Sequence, residues 1–141
     1  MQNNENFLSS SGFVIYGISP TRKTFAGYVK KNLVNAGYKV FPIYPDAGNG
    51  FYRNIVSIPD KVESAYIAVK PENTSKVIED IEKSGIEKVW LQNGSFKDSI
   101  LNRCRKAGIE VYTGCLMMYI PNAGFIHKLH KIIHEFLERR R

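Results

Sequence analysis

A chain of 141 residues has room for one compact domain with a substantial core, and too little for a nucleotide-binding domain joined to a separate catalytic one. Its hydrophobic share of 43% and charged share of 23% are those of an ordinary globular protein, and no apolar run reaches the roughly 18 residues of a membrane span. Lys and Arg number 20 against 13 Asp and Glu, and the net charge of +7 favours an anionic partner without naming one; part of the excess is the terminal run Arg139, Arg140 and Arg141.

Met1 to Ser11 is rich in Asn and Ser and lacks the basic and apolar regions of a secretory signal, which predicts a cytoplasmic protein. The segment reads as a flexible lead-in, with Phe7 and Leu8 as the apolar pair of a short turn. Next comes Gly12 to Pro20, G-F-V-I-Y-G-I-S-P, an apolar run into a glycine turn followed by Arg22 and Lys23. Such a run suits a strand covered on both faces, and a glycine at its end lets the backbone approach a ligand. A helix opening just beyond it would point its positive end at an anion, so a nucleotide-type ligand is expected at this turn.

Phe25, Val29, Leu33 and Ala36 recur at helical spacing before Gly37, predicting a helix over 25–36. Tyr38 to Tyr44 is a second strand whose Pro42 lacks a ladder donor, so one of its sides is expected to be unpaired there. Phe51 to Lys61 is irregular, pinned by Tyr52, Ile55 and Ile58. Ser64 to Val69 forms a third strand, and Pro71 opens a helix with Val77, Ile78 and Ile81 inside and Gly85 as its stop. Glu87 to Gln92 is a fourth strand, then a helix lined by Ile100, Leu101, Cys104 and Ala107, then a fifth strand over Ile109 to Thr113. Phe125, Leu129, Ile132, Ile133, Phe136 and Leu137 predict a final amphipathic helix opened by Pro121-Asn122.

Strands interleaved with helices predict an α/β fold, a doubly wound sheet of five mainly parallel strands in the order 3-2-1-4-5 with an extra C-terminal helix. The expected division is a lead-in over 1–11, the sheet domain over 12–118, and a helix with a basic tail over 119–141. Ligands of such sheets lie beyond the carboxyl ends of the strands where the order reverses. In this order Gly17, Ile18 and Ser19 face Gln92, Asn93 and Gly94, with Pro45, Lys70-Pro71 and Gly114-Cys115 on the same rim.

Six stretches carry a shared pattern: G-I-S-P at Gly17 to Pro20, A-G-Y-K-V-F-P-I-Y-P at Ala36 to Pro45, S-I-P-D-K-V at Ser57 to Val62, V-K-P-E at Val69 to Glu72, V-W-L-Q-N-G at Val89 to Gly94 and G-C-L-M-M at Gly114 to Met118. Together they resemble a known family, the small stand-alone CoA-binding proteins, whose Rossmann-like domain is similar to the CoA-binding domain of the succinyl-CoA synthetase alpha subunit. The resemblance implies that Gly17, Ile18 and Ser19, with Pro20, meet the CoA pyrophosphate and that Arg22 and Lys23 are countercharges. It implies that Pro45 lies near the adenosine, that Val69, Lys70 and Pro71 line the adenine side, and that Gln92, Asn93 and Gly94 sit where the pantetheine arm emerges; Cys115 matches a cysteine common after the fifth strand. The chain departs from the family at Tyr44 (usually Asn), at Asp46 and Ala47 (often a basic residue), and at Ala26 (commonly Ser). The 3′-phosphate of CoA calls for a cation, a part left to Arg53, or else the ligand is another adenine nucleotide, NAD(P) or ATP-like.

Other chemistries read more weakly. The first turn lacks G-x-G-x-x-G, and no acidic residue ends strand two to hold an NAD ribose. Cys104 and Cys115 form neither a disulfide framework nor a zinc spacing, so reduced thiols are expected; Cys104 reads as core, and Cys115 either as a small half-buried residue or as a thiol acting on a thioester. His127, His130 and His134 share one helical face, read as solvated rather than as a metal site. Met117 and Met118 read as packing. The aromatics Tyr38, Phe41, Tyr44, Phe51 and Tyr52 raise nucleic-acid stacking, but strand alternation explains most of them and no RNA-binding signature accompanies them. The expected function is non-catalytic binding of CoA or an acyl-CoA as carrier, sensor or regulatory subunit, with no membrane partner and with a homodimer left open by the last helix.

Overall fold

The computed structural model describes residues 4–10, 12–46, 48 and 50–120. The expected C-terminal helix, its three histidines and the arginine tail lie outside the described residues, as do Ala47 and Asn49.

Five strands form one parallel sheet: β1 (Gly12–Tyr16), β2 (Lys39–Ile43), β3 (Ser64–Ile67), β4 (Lys88–Gln92) and β5 (Glu110–Gly114). Three helices join them: α1 (Phe25–Asn35), α2 (Pro71–Glu82) and α3 (Asp98–Lys106). The strand and helix positions match those read from periodicity, and Pro71 occupies the first turn of α2, where its missing N–H has no helical partner to lose.

The α/β, Rossmann-like class is as expected, but the strand order is 2-1-3-4-5 and not 3-2-1-4-5. The winding reverses one strand sooner. The first crossover carries α1 to β2; the chain then returns past β1 over residues 44–63, through a short 3-10 turn at Ile55–Ser57, and lays β3 on the other side of β1. Burial shows why this arrangement suits the sequence: every residue of β1 and β3 is buried, whereas β2 begins exposed and β5 is buried in its middle only. β2 is an edge strand, and Pro42 faces outward there: Tyr52 N–H donates to the Pro42 carbonyl at 2.9 Å on the side away from β1. A strand residue directs its nitrogen and carbonyl to the same side, so the absent donor costs no bond to β1.

The two faces bury separate cores. Ile78 and Ile81 of α2 and Ile100 and Cys104 of α3 pack with Val14, Tyr16, Ala65, Ile67, Val89 and Leu91 on one face. On the other, Phe25, Ala26, Val29 and Leu33 of α1 pack with Phe13, Ile15, Tyr66, Trp90 and Tyr112. Ala107, read from periodicity as an inner residue of α3, is exposed one position past the helix.

Residues 4–10, assigned from composition to the lead-in, form a 3-10 turn over Asn4–Ser9 whose Phe7 is fully buried. Its ring lies 5.1 Å from Phe13 and 5.3 Å from Trp90, and Ser10 shares a buried 2.6 Å hydroxyl hydrogen bond with Ser64. Burying one phenylalanine stabilises by about 2–3 kcal/mol, and the Ser10 hydroxyl hydrogen bond adds to the anchorage of the turn.

Candidate functional site at the carboxyl edge of the sheet

With β3 beside β1, the rim runs Tyr44-Pro45, Gly17 to Pro20, Ala68 to Pro71, Gln92 to Gly94, then Gly114-Cys115. The expected pairing of Gly17 with Gln92, Asn93 and Gly94 is corrected: the end of β3 lies between them, and the reversal point falls between β1 and β3.

The β1–α1 loop is held by its own side chains. Ser19 Oγ accepts the backbone N–H groups of Thr21 and Arg22 at 3.2 and 3.3 Å, and Thr24 caps α1 by accepting the Gly27 N–H at 3.1 Å. The positive end of α1 therefore stands directly behind the loop, with Arg22 and Lys23 exposed beside it. Gly17 takes φ +118°, and a β-carbon there would lie 2.5 Å from the Ala68 carbonyl oxygen. This glycine is thus required by the approach of two protein backbones, independently of any ligand.

Facing the loop, Val69 is half-buried, Lys70 is exposed as the N-cap of α2, and Pro71 follows. Two buried hydroxyls that sequence reasoning passed over fix the next turn. Thr74 Oγ1 donates to the Ser95 carbonyl, and Ser95 Oγ donates to the Gln92 carbonyl at 2.5 Å. Asn93-Gly94-Ser95 reads as an ordinary turn in sequence, and only the tertiary contact with α2 reveals Ser95 as its anchor. Gln92 is buried, and its Oε1 accepts the Tyr66 hydroxyl at 2.7 Å, so this oxygen is committed to the fold; Asn93 and Gly94 are exposed.

Cys115 is half-buried, and burial pushes its thiol up, opposed in part by the backbone N–H groups of Met117 and Met118. The preceding carbonyl, of Gly114, accepts the Trp90 indole N–H at 3.0 Å. On the opposite sheet face the Tyr16 hydroxyl is buried with no hydrogen-bond partner among the described residues, and burial raises it well above the usual phenol range.

On the β2 side, Tyr44 and the exposed Pro45 and Asp46 end the strand. Tyr52 bridges Ile43 in the parallel sense, which brings the next residue, Arg53, level with Tyr44 at the rim. The aromatics around it are engaged with one another: Phe41 with Tyr52 at 5.6 Å and Tyr44 with Phe51 at 6.1 Å, both edge-on. Among the described residues no group of three His, Cys, Asp or Glu is placed to hold a metal ion, and no helix is long and apolar enough to cross a membrane.

A parallel sheet with a glycine loop, a capped helix and basic side chains at its reversal point defines a Rossmann-like α/β domain, with that loop at the edge where ligands of such sheets sit. The profile of the CoA binding domain family matches residues 12–121, and the chain belongs to that family. Among solved structures, a hypothetical protein from Pyrococcus horikoshii OT3 is 27% identical, with a TM-score of 0.73 over 84% of this chain and 89% of its own. A conserved hypothetical protein from Pyrococcus furiosus is also 27% identical, with a TM-score of 0.67 over 76% of this chain and 97% of its own. The dinucleotide-forming acetyl-coenzyme A synthetase 1 of Ca. Korarchaeum cryptofilum, in complex with phosphate and ADP, is 27% identical with a TM-score of 0.62; the match covers 72% of this chain and 25% of that one.

Proposed function

We propose that the protein binds CoA or an acyl-CoA non-covalently at the rim between β1 and β3, as a carrier, sensor or regulatory subunit without catalysis of its own. The observation that carries this reading is the placement of the Gly17 to Pro20 loop, backed by α1 and flanked by Arg22 and Lys23, at the point where the sheet reverses; the family of the chain supports CoA as the ligand. In this reading the pyrophosphate lies on the Gly17, Ile18, Ser19 and Pro20 loop, where the helix end and the two cations offset its charge. Val69, Lys70 and Pro71 border the adenine, Pro45 the adenosine, and Asn93 and Gly94 the emerging pantetheine arm, with Gln92 shaping that turn from within and Cys115 further along the rim. Arg53 supplies the cation for the 3′-phosphate that residues 46 and 47 lack. A thioester-attacking role for Cys115 gains no support, since burial favours the neutral thiol over the nucleophilic thiolate.

The test is isothermal titration of reduced, ligand-free protein with CoA, 3′-dephospho-CoA, NAD and ATP. Micromolar CoA binding that Arg22→Glu abolishes is the expected result. The absence of heat with all four ligands would sink the reading.

A further inference from the structure

Trp90 lies in β4 on the α1 face of the sheet, fully buried, with its ring parallel to Tyr112 within 7° at 6.0 Å. Its indole N–H leaves this aromatic stack to reach the Gly114 carbonyl. Gly114 has φ +102°, a conformation that turns the chain out of β5, and Cys115 is the next residue. The bond therefore fixes a carbonyl at the corner where the last strand ends and the rim begins.

Two further contacts brace the same corner from the N-terminal turn. Phe7 lies edge-on to Trp90, and Asn4 Nδ2 donates to the Tyr119 hydroxyl at 3.3 Å, while Tyr119 itself packs 5.7 Å from Trp90. Residues near both ends of the described chain thus converge on one indole.

We propose that Trp90 is a positioning residue for the Gly114-Cys115 corner, and that the Asn4–Ser9 turn holds Trp90 in place through Phe7 and Asn4. The rim is then set from the far side of the core, and a ligand seated against Cys115 feels the state of the N-terminal turn. By reciprocity, occupancy of the rim tightens that turn. The ligand part rests on the CoA reading above; the positioning part does not.

Alkylation of Cys115 by iodoacetamide, followed by peptide mass in the full chain, tests the positioning. Trp90→Phe keeps an aromatic ring and deletes the donor, and Asn4→Ala loosens the brace without touching the core. Each is expected to speed Cys115 alkylation, Trp90→Phe by about fivefold, the equivalent of one ordinary buried hydrogen bond. Ile78→Val, in the core of the opposite face, is the control for general loosening and should leave the Cys115 rate unchanged. An unchanged rate in Trp90→Phe, or an equal acceleration in Ile78→Val, overturns the proposal. CoA titration adds the second arm: Trp90→Phe should weaken binding by a similar factor. Equal affinities in variant and native protein overturn the link to the ligand while CoA binding stands. No heat in the native protein overturns the CoA reading, and alkylation still decides the role of Trp90.

Discussion

Gly17 and Ala68 meet backbone to backbone: the Tyr16 carbonyl takes the Ala68 amide at 2.9 Å, and the next residue, Gly17, has no room for a β-carbon against the Ala68 carbonyl. The contact closes the seam between β1 and β3 just where the proposed ligand rests. Stability and binding are therefore joined at one glycine.

Gly17→Ala should destabilise by at least about 2 kcal/mol, because it combines a disfavoured φ with a clash against backbone that cannot swing away. Gly108→Ala is the comparison, since Gly108 also has positive φ (+76°) but open space around it; about 1 kcal/mol is expected there. Urea denaturation of both variants checks the difference, and equal losses would remove the role assigned to the Ala68 carbonyl.

Thr74→Val leaves the Ser95 carbonyl without its side-chain donor in a buried turn, at a cost of about 1–2 kcal/mol. Thr74→Ser restores the hydroxyl and should recover most of it. Thr74→Val as stable as the native protein would remove the role of the hydrogen bond, and the loss in Thr74→Ser measures the methyl alone.

Cys104 is fully buried, and its thiol is pushed up to about 11, chiefly by desolvation and then by the negative charge of Glu82. An unfolded cysteine titrates near 8.5, so the native state keeps its proton to higher pH than the unfolded chain does. The associated stability, on the order of 3 kcal/mol, is full below about pH 8.5 and is lost as pH rises toward 11. Denaturation midpoints across this window should fall more steeply in the native protein than in Cys104→Ala; parallel slopes would contradict the assignment.

Arg53, placed level with the end of β2 by the Ile43 and Tyr52 bridge, should matter to the 3′-phosphate alone. Arg53→Ala is expected to weaken CoA by about tenfold, on the scale of one partly screened charge-assisted hydrogen bond, and to leave 3′-dephospho-CoA unchanged. Titrations of both ligands against both proteins give the coupling directly. A loss common to the two ligands would place Arg53 at some other part of the nucleotide, or outside the site.

Much of this architecture is written in local pattern. Pro71, the apolar spacing of Ile78 and Ile81, and the glycine stops after each helix locate the elements, because those signals act within a few residues. Strand order is a different matter, decided by how far the chain travels over residues 44–63 before it pairs again. Two clues to it were present: Pro42 marks an edge, and the uninterrupted apolar run from Ala65 to Val69 marks a centre. Assigning β2 to an inner position overlooked the first. The rim residues Gly17 to Pro20, Lys70 and Asn93 were legible from their turns, whereas Thr74 and Ser95 were not, since a buried serine and an exposed one look alike until the partner helix is in place. Phe7 reads with Leu8 as the apolar pair of a short turn, but one aromatic in a polar stretch has no period to show that its ring reaches Phe13 and Trp90.

Trp90 is the only tryptophan in the chain, and Phe7, Tyr112 and Tyr119 surround it. Its fluorescence is therefore an internal gauge of whether residues 4–10 are seated. A chain trimmed to start at residue 12, where the family match begins, would keep every strand yet lose the Phe7 wall, and its emission should shift to the red with no ligand added and no dye attached. The same shift in a fresh preparation of the 141-residue chain would point to clipping at the N-terminus, a fault that a gel resolves poorly and a spectrum shows at once.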